Sequence, residues 1–247
     1  MAKVPKLRVI GGPNGSGKSN LTKELLSKFN FGYYLNADEI EAALKKNGCY
    51  DFSLVNIQTS KAEILKFIKK SGLTKKLNKN NFNVDEFKIE NNILYYPTKL
   101  VNSYISLIIV QYLIDCFIES SQTFSFETVM SHEGKVDIIK QAKEKGFKTY
   151  LYYICTESPK INQERVKQRV ALGGHSVAPK QIENRYYGSL RNLYPALKLA
   201  NRGFIFDNSS KAYVLIAETI DGARVHFKQK NVPSWIIEAL KIKYPKK

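Results

Sequence analysis

The chain has 247 residues, 43% hydrophobic and 12% aromatic, which is enough to bury a core and excludes a disordered polymer. Lys and Arg number 39 against 22 Asp and Glu, and the resulting charge of +17 favours anionic partners: nucleotides, phosphorylated sugars or nucleic acid. Runs such as Lys69-Lys70 and Lys75-Lys76 read equally well as solvated surface, while three scattered cysteines, Cys49, Cys116 and Cys155, exclude a disulfide framework or structural zinc site and fit a reducing cytoplasm.

Residues 1–6 lack the apolar core of a signal peptide. Residues 7–11, Leu-Arg-Val-Ile-Gly, predict a short buried strand, and residues 20–26 have helical spacing. Between them stands Gly12-Pro13-Asn14-Gly15-Ser16-Gly17-Lys18-Ser19. Strand, glycine-rich turn, Lys-Ser and helix form the phosphate-cradling loop of nucleotide-binding proteins. The glycines let the backbone approach a phosphate, and the N–H groups opening the helix point at an anion on the helix dipole. Lys18 is expected on the β- and γ-phosphates of ATP, with Ser19 as the Mg2+ ligand and Asn20 opening the helix behind it.

Residues 31–36 predict a second strand leading into a helix through Ile40, Ala43 and Leu44. Asp38 lies at that junction, at the end of the sheet where ligands bind. Its position fits a helix N-cap and a catalytic base alike. Residues 62–70 are amphipathic and helical, and residues 75–92, rich in Lys and Asn, predict a surface excursion. A long, largely buried helix is expected over 99–120; its apolar run, 105–118, is shorter than a bilayer span and carries Gln111 and Asp115.

Residues 123–128 predict a strand that brings Glu127 and Thr128 to the same sheet edge. A helix over 134–145 and a strand over 147–155, the latter expected to be buried on both faces, continue a βαβ rhythm and hence a parallel sheet. The helix over 159–172 carries Arg165 and Arg169 on one face and stops at Gly173-Gly174. A second helix with Arg185 and Arg191 follows. Arginines flanking a glycine hinge suit a lid over phosphates, although a solvated basic face has the same composition. Residues 204–206 predict a strand ending at Asp207-Asn208-Ser209, with Asn208 near the nucleotide base. Residues 213–227 predict a hairpin about Asp221-Gly222, and the tail from Pro233 predicts a short helix.

Taken together, these blocks resemble the zeta-toxin family of P-loop kinases, in its compact stand-alone branch. The resemblance rests on Gly12 to Ser19, Asn36-Ala37-Asp38-Glu39-Ile40, Phe126-Glu127-Thr128, the stretch from Arg165 through Gly173-Gly174-His175 to Val177, Arg185-Tyr186, Ser189-Leu190-Arg191-Asn192-Leu193 and Asp207-Asn208-Ser209. It implies an α/β fold of three layers with a parallel central sheet, a helical lid and a C-terminal β-hairpin. It also implies one domain over 1–247, with an insertion at 48–98 and an extension from 211. The implied activity is transfer of the γ-phosphate of ATP, with magnesium, to a sugar hydroxyl of a UDP-N-acetylglucosamine-like acceptor. By position, Lys18, Asp38, Arg169 and Arg185 are then the catalytic candidates. Residues Gly12 to Asn20 and Asn208 hold the nucleotide, and Asp38, Glu127, Thr128, Arg165 and His175 face the acceptor. An antitoxin protein is a family partner. The chain departs from the family pattern at Val129-Met130, where a Thr and a Leu are usual. The rival readings are a polynucleotide kinase and a non-catalytic nucleotide-binding regulator. Against the first, the sequence shows no aromatic-basic stripe of the single-strand-binding type.

Overall fold

The computed structural model describes residues 4–70, 86–174, 176–222 and 224–241. In chain order its elements are β1 (Lys6–Gly11), α1 (Lys18–Lys28), β2 (Tyr33–Leu35), α2 (Ala37–Asn47), β3 (Cys49–Asp51), α3 (Lys61–Lys70), β4 (Lys88–Glu90), β5 (Ile93–Tyr95), α4 (Ser103–Glu119), β6 (Phe124–Thr128), α5 (Gly134–Glu144), β7 (Lys148–Cys155), α6 (Pro159–Ala171), α7 (Pro179–Leu199), β8 (Arg202–Asp207), β9 (Val214–Ile220), β10 (Arg224–Phe227) and α8 (Ser234–Leu240). They form two compact units, Met1–Tyr34 with Ser121–Lys247, and Leu35–Ser120.

The first unit is built on a seven-stranded sheet of order β10-β9-β8-β7-β1-β6-β2. Strand β1 runs parallel to β6 on one side and β7 on the other, and β7 runs parallel to β8. Leu7, Val9 and Ile10 of β1 are fully buried, as a central parallel strand requires. The register sets Gly11 beside Thr128 and beside Tyr153, so the strand ends that feed the site are level. After β8 the chain reverses: β9 pairs antiparallel with β8, and β10 with β9, about the predicted Asp221-Gly222 turn. Both turn residues have positive φ, 46° and 72°, the geometry of a tight hairpin.

The sequence predicts burial of β7 on both faces, and the structure bears this out on one face and in part on the other, where Ile154 is fully buried. Leu151, Tyr153 and Cys155 are fully buried on one face. There Tyr153 Oη lies 2.9 Å from Ser189 Oγ of α7, and its ring centroid is 6.2 Å from that of Trp235 of α8. On the other face Tyr150 and Tyr152 are half-buried. Tyr152 stacks on Phe204 at 4.9 Å, and the Arg8 guanidinium lies over Phe31 and Tyr150 at 4.8 and 5.3 Å. Rings and an arginine stem give that face its cover.

The second unit pairs α2 with α4, whose Ile105, Ile109, Leu113, Ile114 and Phe117 are fully buried. Helix α4 starts at Ser103, later than the predicted 99, because Asn102 Oδ1 caps it by accepting from the Tyr104 N–H at 2.9 Å. The predicted helix over 62–70 is α3. The predicted excursion over 75–92 lies outside the described residues as far as 85. From Lys88 it is ordered into β4 and β5, which join β3 in a small antiparallel sheet of order β3-β5-β4. Asn91 and Asn92, at φ 49° and 68°, make the β4–β5 turn, and Asn92 Oδ1 accepts from the Thr59 N–H at 2.8 Å. Among the described residues no helix is long and apolar enough to cross a membrane.

Candidate active site

The loop between β1 and α1 is a tight ring of backbone. Gly15 has φ +76°, and a Cβ there would stand 2.5 Å from the Asn162 carbonyl oxygen. Gly17 has φ +97°, and a Cβ would run into Asn208 Nδ2. Two constraints, backbone sign and space, therefore demand glycine at both positions. Lys18 reaches back across the loop and its Nζ donates to the carbonyls of Gly12 at 2.8 Å and Pro13 at 3.0 Å. Ser19 and Asn20 are exposed in the first turn of α1. Ser16 Oγ is buried and has no hydrogen-bond partner among the described residues.

Four other segments of the same unit close on this loop. Asn208, just past β8, donates Nδ2 to the Ser16 carbonyl at 2.8 Å. Asn162 of α6 donates Nδ2 to the Asn14 carbonyl at 2.5 Å. Arg185 of α7 donates Nη1 to Asn14 Oδ1 at 3.2 Å. From β6, Glu127 Oε1 accepts the hydroxyl proton of Thr22, one turn along α1 from Ser19, at 2.6 Å. The Gly12 N–H donates to the Thr128 carbonyl at 3.2 Å, so the β6 end and the loop start are joined directly.

Of the residues singled out by sequence, the structure gathers Gly12 to Asn20, Glu127, Thr128, Arg185 and Asn208 about one loop. Arg165 is half-buried; its Nη2 donates to the Ser210 carbonyl at 3.1 Å and its Nη1 is buried without a partner among the described residues. Arg169 is exposed in the last turn of α6, and its carbonyl accepts from the Gly174 N–H at 2.9 Å, which forms the start of the expected hinge. His175 lies outside the described residues. Asp38 belongs to the second unit and is exposed. The helix-cap alternative for it is corrected: the cap of α2 is Asn36, whose Oδ1 accepts from the Asp38 N–H at 2.9 Å. Asp38 is the second helical residue, and its carboxylate has no capping bond among those observed for α2.

The sequence departure at Val129-Met130 has a structural account. Met130 is fully buried at φ 56°, and its Sδ would meet a Cβ on Gly11 at 3.0 Å. Asn192 Nδ2 holds the Met130 carbonyl at 2.9 Å. The position is a packed turn of the chain. Sequence reasoning missed Thr22 and Asn162, buried polar residues on helices whose partners Glu127 and Asn14 lie far along the chain. It also placed Asp207 without a role. Its carboxylate accepts from Trp235 Nε1 at 2.8 Å and from Ser209 Oγ at 2.8 Å, which fixes the segment that presents Asn208.

The set fits a nucleotide triphosphate in three respects. The loop has the two glycines a phosphate approach needs, a lysine spans it, and one of its own buried hydroxyls, Ser16 Oγ, has no partner among the described residues. Among the described residues no group of three or more His, Cys, Asp and Glu could hold a metal ion.

No family model matches the chain. An uncharacterised protein of Haemophilus influenzae is 38% identical over 63 residues, 26% of this chain and 45% of that protein. Among solved structures, a chain of the PezAT chromosomal toxin-antitoxin system of Streptococcus pneumoniae superposes with a TM-score of 0.53 at 11% identity, covering 98% of this chain and 78% of that one. A chain of the AvrRxo1-ORF1–ORF2 complex crystallised with ATP superposes with a TM-score of 0.51 at 14% identity, covering 97% of this chain. This chain spans 64% of the length of that AvrRxo1 chain. Identities this low speak to architecture alone: the chain shares with these structures an α/β fold with a mostly parallel seven-stranded central sheet.

Proposed function

We propose that this protein is an ATP-dependent phosphotransferase that moves the γ-phosphate to a hydroxyl of a small acceptor, a nucleotide sugar of the UDP-N-acetylglucosamine type. The observation that carries the reading is the convergence of Lys18, Arg185, Asn208 and Glu127 on the Gly12–Ser19 loop. The crystals of the AvrRxo1 complex with ATP support the choice of nucleotide. Bound MgATP supplies the transferable phosphoryl group. Lys18 and the loop N–H groups would orient its phosphates, and Ser19, with Glu127 held by Thr22, would help to hold Mg2+, which would supply charge neutralisation on the phosphates. Arg185, with Arg165 and Arg169 on α6, neutralises charge on the transferring group. Asp38 takes the proton of the acceptor hydroxyl, and Thr128 is a contact for the acceptor. The toxin–antitoxin setting of PezAT makes a protein antitoxin a partner worth seeking.

The test is a panel of UDP-sugars incubated with MgATP and read by mass spectrometry. One acceptor should gain a single phosphate, and Lys18→Ala should abolish the gain. A panel with no labelled sugar, together with phosphate transfer to oligonucleotides, would replace the acceptor class.

A further inference from the structure

Asn162 holds a place in the site that its position in the sequence does not advertise. It stands in the first turns of α6 and is fully buried. Its Nδ2 donates to the Asn14 carbonyl at 2.5 Å, and its Oδ1 accepts from Thr156 Oγ1. Thr156 directly follows β7, and its carbonyl accepts from Tyr186 Oη of α7 at 2.7 Å. Tyr186 is the neighbour of Arg185, which donates to the side chain of the same Asn14 at 3.2 Å. The bonds close a ring from the loop to α6, to the end of β7, to α7 and back to the loop.

The chemistry of the ring leaves little choice at position 162. The Asn14 carbonyl only accepts, so the side chain at 162 must donate to it; on the other side the single Thr156 hydroxyl proton is shared between Asn162 Oδ1 and the Ser158 carbonyl at 3.1 Å, so an acceptor fits there. An amide does both at a length that a buried helix position allows. The carbonyl of Asn162 also sits where a Cβ on Gly15 would be, so the helix presses on the loop with backbone as well as side chain. A contact that merely packed α6 would not need a polar side chain withdrawn from water.

We infer that Asn162 is a positioning residue for the nucleotide site: it registers α6 and α7 on the phosphate loop through Asn14 and so fixes where the Arg185 guanidinium meets the bound phosphates. The inference rests on the reading above that the loop holds nucleotide phosphates. It adds that the two arginine-bearing helices are keyed to the loop at one residue, Asn14, gripped from both sides.

The test is Asn162→Asp, which changes one terminal atom. As a carboxylate it keeps the bond from Thr156 but turns an acceptor toward the Asn14 carbonyl. When protonated it can donate again. Burial pushes such a carboxyl up from its ordinary range. The ionisable groups on the elements packed here include Lys18 of α1, Arg165 of α6, Arg185 and Tyr186 of α7, and Cys155 and Glu157 on either side of Thr156. Burial pushes the Tyr186 phenol well up, away from the range used. MgATP affinity is therefore measured by calorimetry for variant and wild type side by side from pH 8 to pH 5.5, which cancels titrations common to both. The variant should bind about 30-fold more weakly at pH 8 and recover to within about threefold at pH 5.5. A ratio that stays constant with pH, or equal affinities, would overturn the proposal alone. Wild-type protein that fails to bind MgATP would overturn the reading on which it rests. If circular dichroism shows the Asp variant unfolded at pH 8, Thr156→Val serves instead, since it removes the donor to Asn162 Oδ1. It should weaken MgATP about threefold to tenfold, and unchanged affinity would overturn the proposal.

Discussion

Gly15 shows how much a single position carries. Its backbone has φ +76°, and the space a side chain needs is taken by the carbonyl of Asn162. Gly15→Ala must shift α6 or flatten the loop, and either change moves the N–H groups that face a phosphate. The variant should remain folded while losing about tenfold or more in MgATP affinity, read by calorimetry; wild-type affinity would show that the loop tolerates the shift. Asp38 is a different case, because its part is chemical. Asp38→Asn should leave MgATP binding intact and lower turnover of the acceptor by about 100-fold. Loss of MgATP binding in that variant would move Asp38 to the nucleotide's side. The loop residues are legible in sequence because phosphate binding needs glycines, Lys and Ser at fixed local spacing. Asn162 is illegible for the opposite reason. Its partner Asn14 is 148 residues away, and an Asn in a helix is most often a solvated residue.

Elements were legible in proportion to their length and regularity. The strand–loop–helix at the start, the arginine-bearing pair α6 and α7 with proline at the start of each, and the Asp221-Gly222 hairpin all fall where patterning predicts. Strands β3, β4 and β5 were not seen, since each has three residues and too few alternations to set a period. The Asn91-Asn92 turn was the local signal that could have found them. Helix α8 illustrates an element whose purpose the sequence hides. It is seven residues long and buries Trp235, Ile236, Ile237 and Leu240. The Trp235 N–H reaches the Asp207 carboxylate, next to the residue that holds the Ser16 carbonyl. Trp235→Phe keeps most of the buried ring and removes that donor. Asp207 still accepts from Ser209, so the cost should be about 1–2 kcal/mol in urea unfolding. A cost near zero would show that the tail helix is held by packing alone.

At the scale of the molecule, hydrogen bonds tie the central strands to the nucleotide loop within the first unit. Strand β7 pairs with β1, which feeds the loop, and the Cys155 carbonyl at its end accepts from the N–H of Asn208, the residue that braces Ser16. Cys155 reports on that connection. It is fully buried, and burial pushes its thiol up to about 12, so at pH 8 it is neither exposed nor ionised in the folded chain. Alkylation must wait for the sheet to open, where the thiol returns to a pKa of about 8.5. Cys49 and Cys116 are only half-buried, so mass mapping of the Cys155 peptide is needed to separate its rate from theirs. If opening β7 also dismantles the loop, a ligand bound to the loop must be released first. MgATP at 100 times its dissociation constant would then add about 2.7 kcal/mol and slow Cys155 labelling by about 100-fold. The slowing should be absent in Lys18→Ala, which lacks the lysine that spans the phosphates. An unchanged rate in wild type with nucleotide demonstrably bound would mean that β7 opens while the loop keeps its ligand. The hydrogen bonds joining Cys155, Asn208 and Ser16 would then be a local brace rather than the means by which the core of the sheet feels the site.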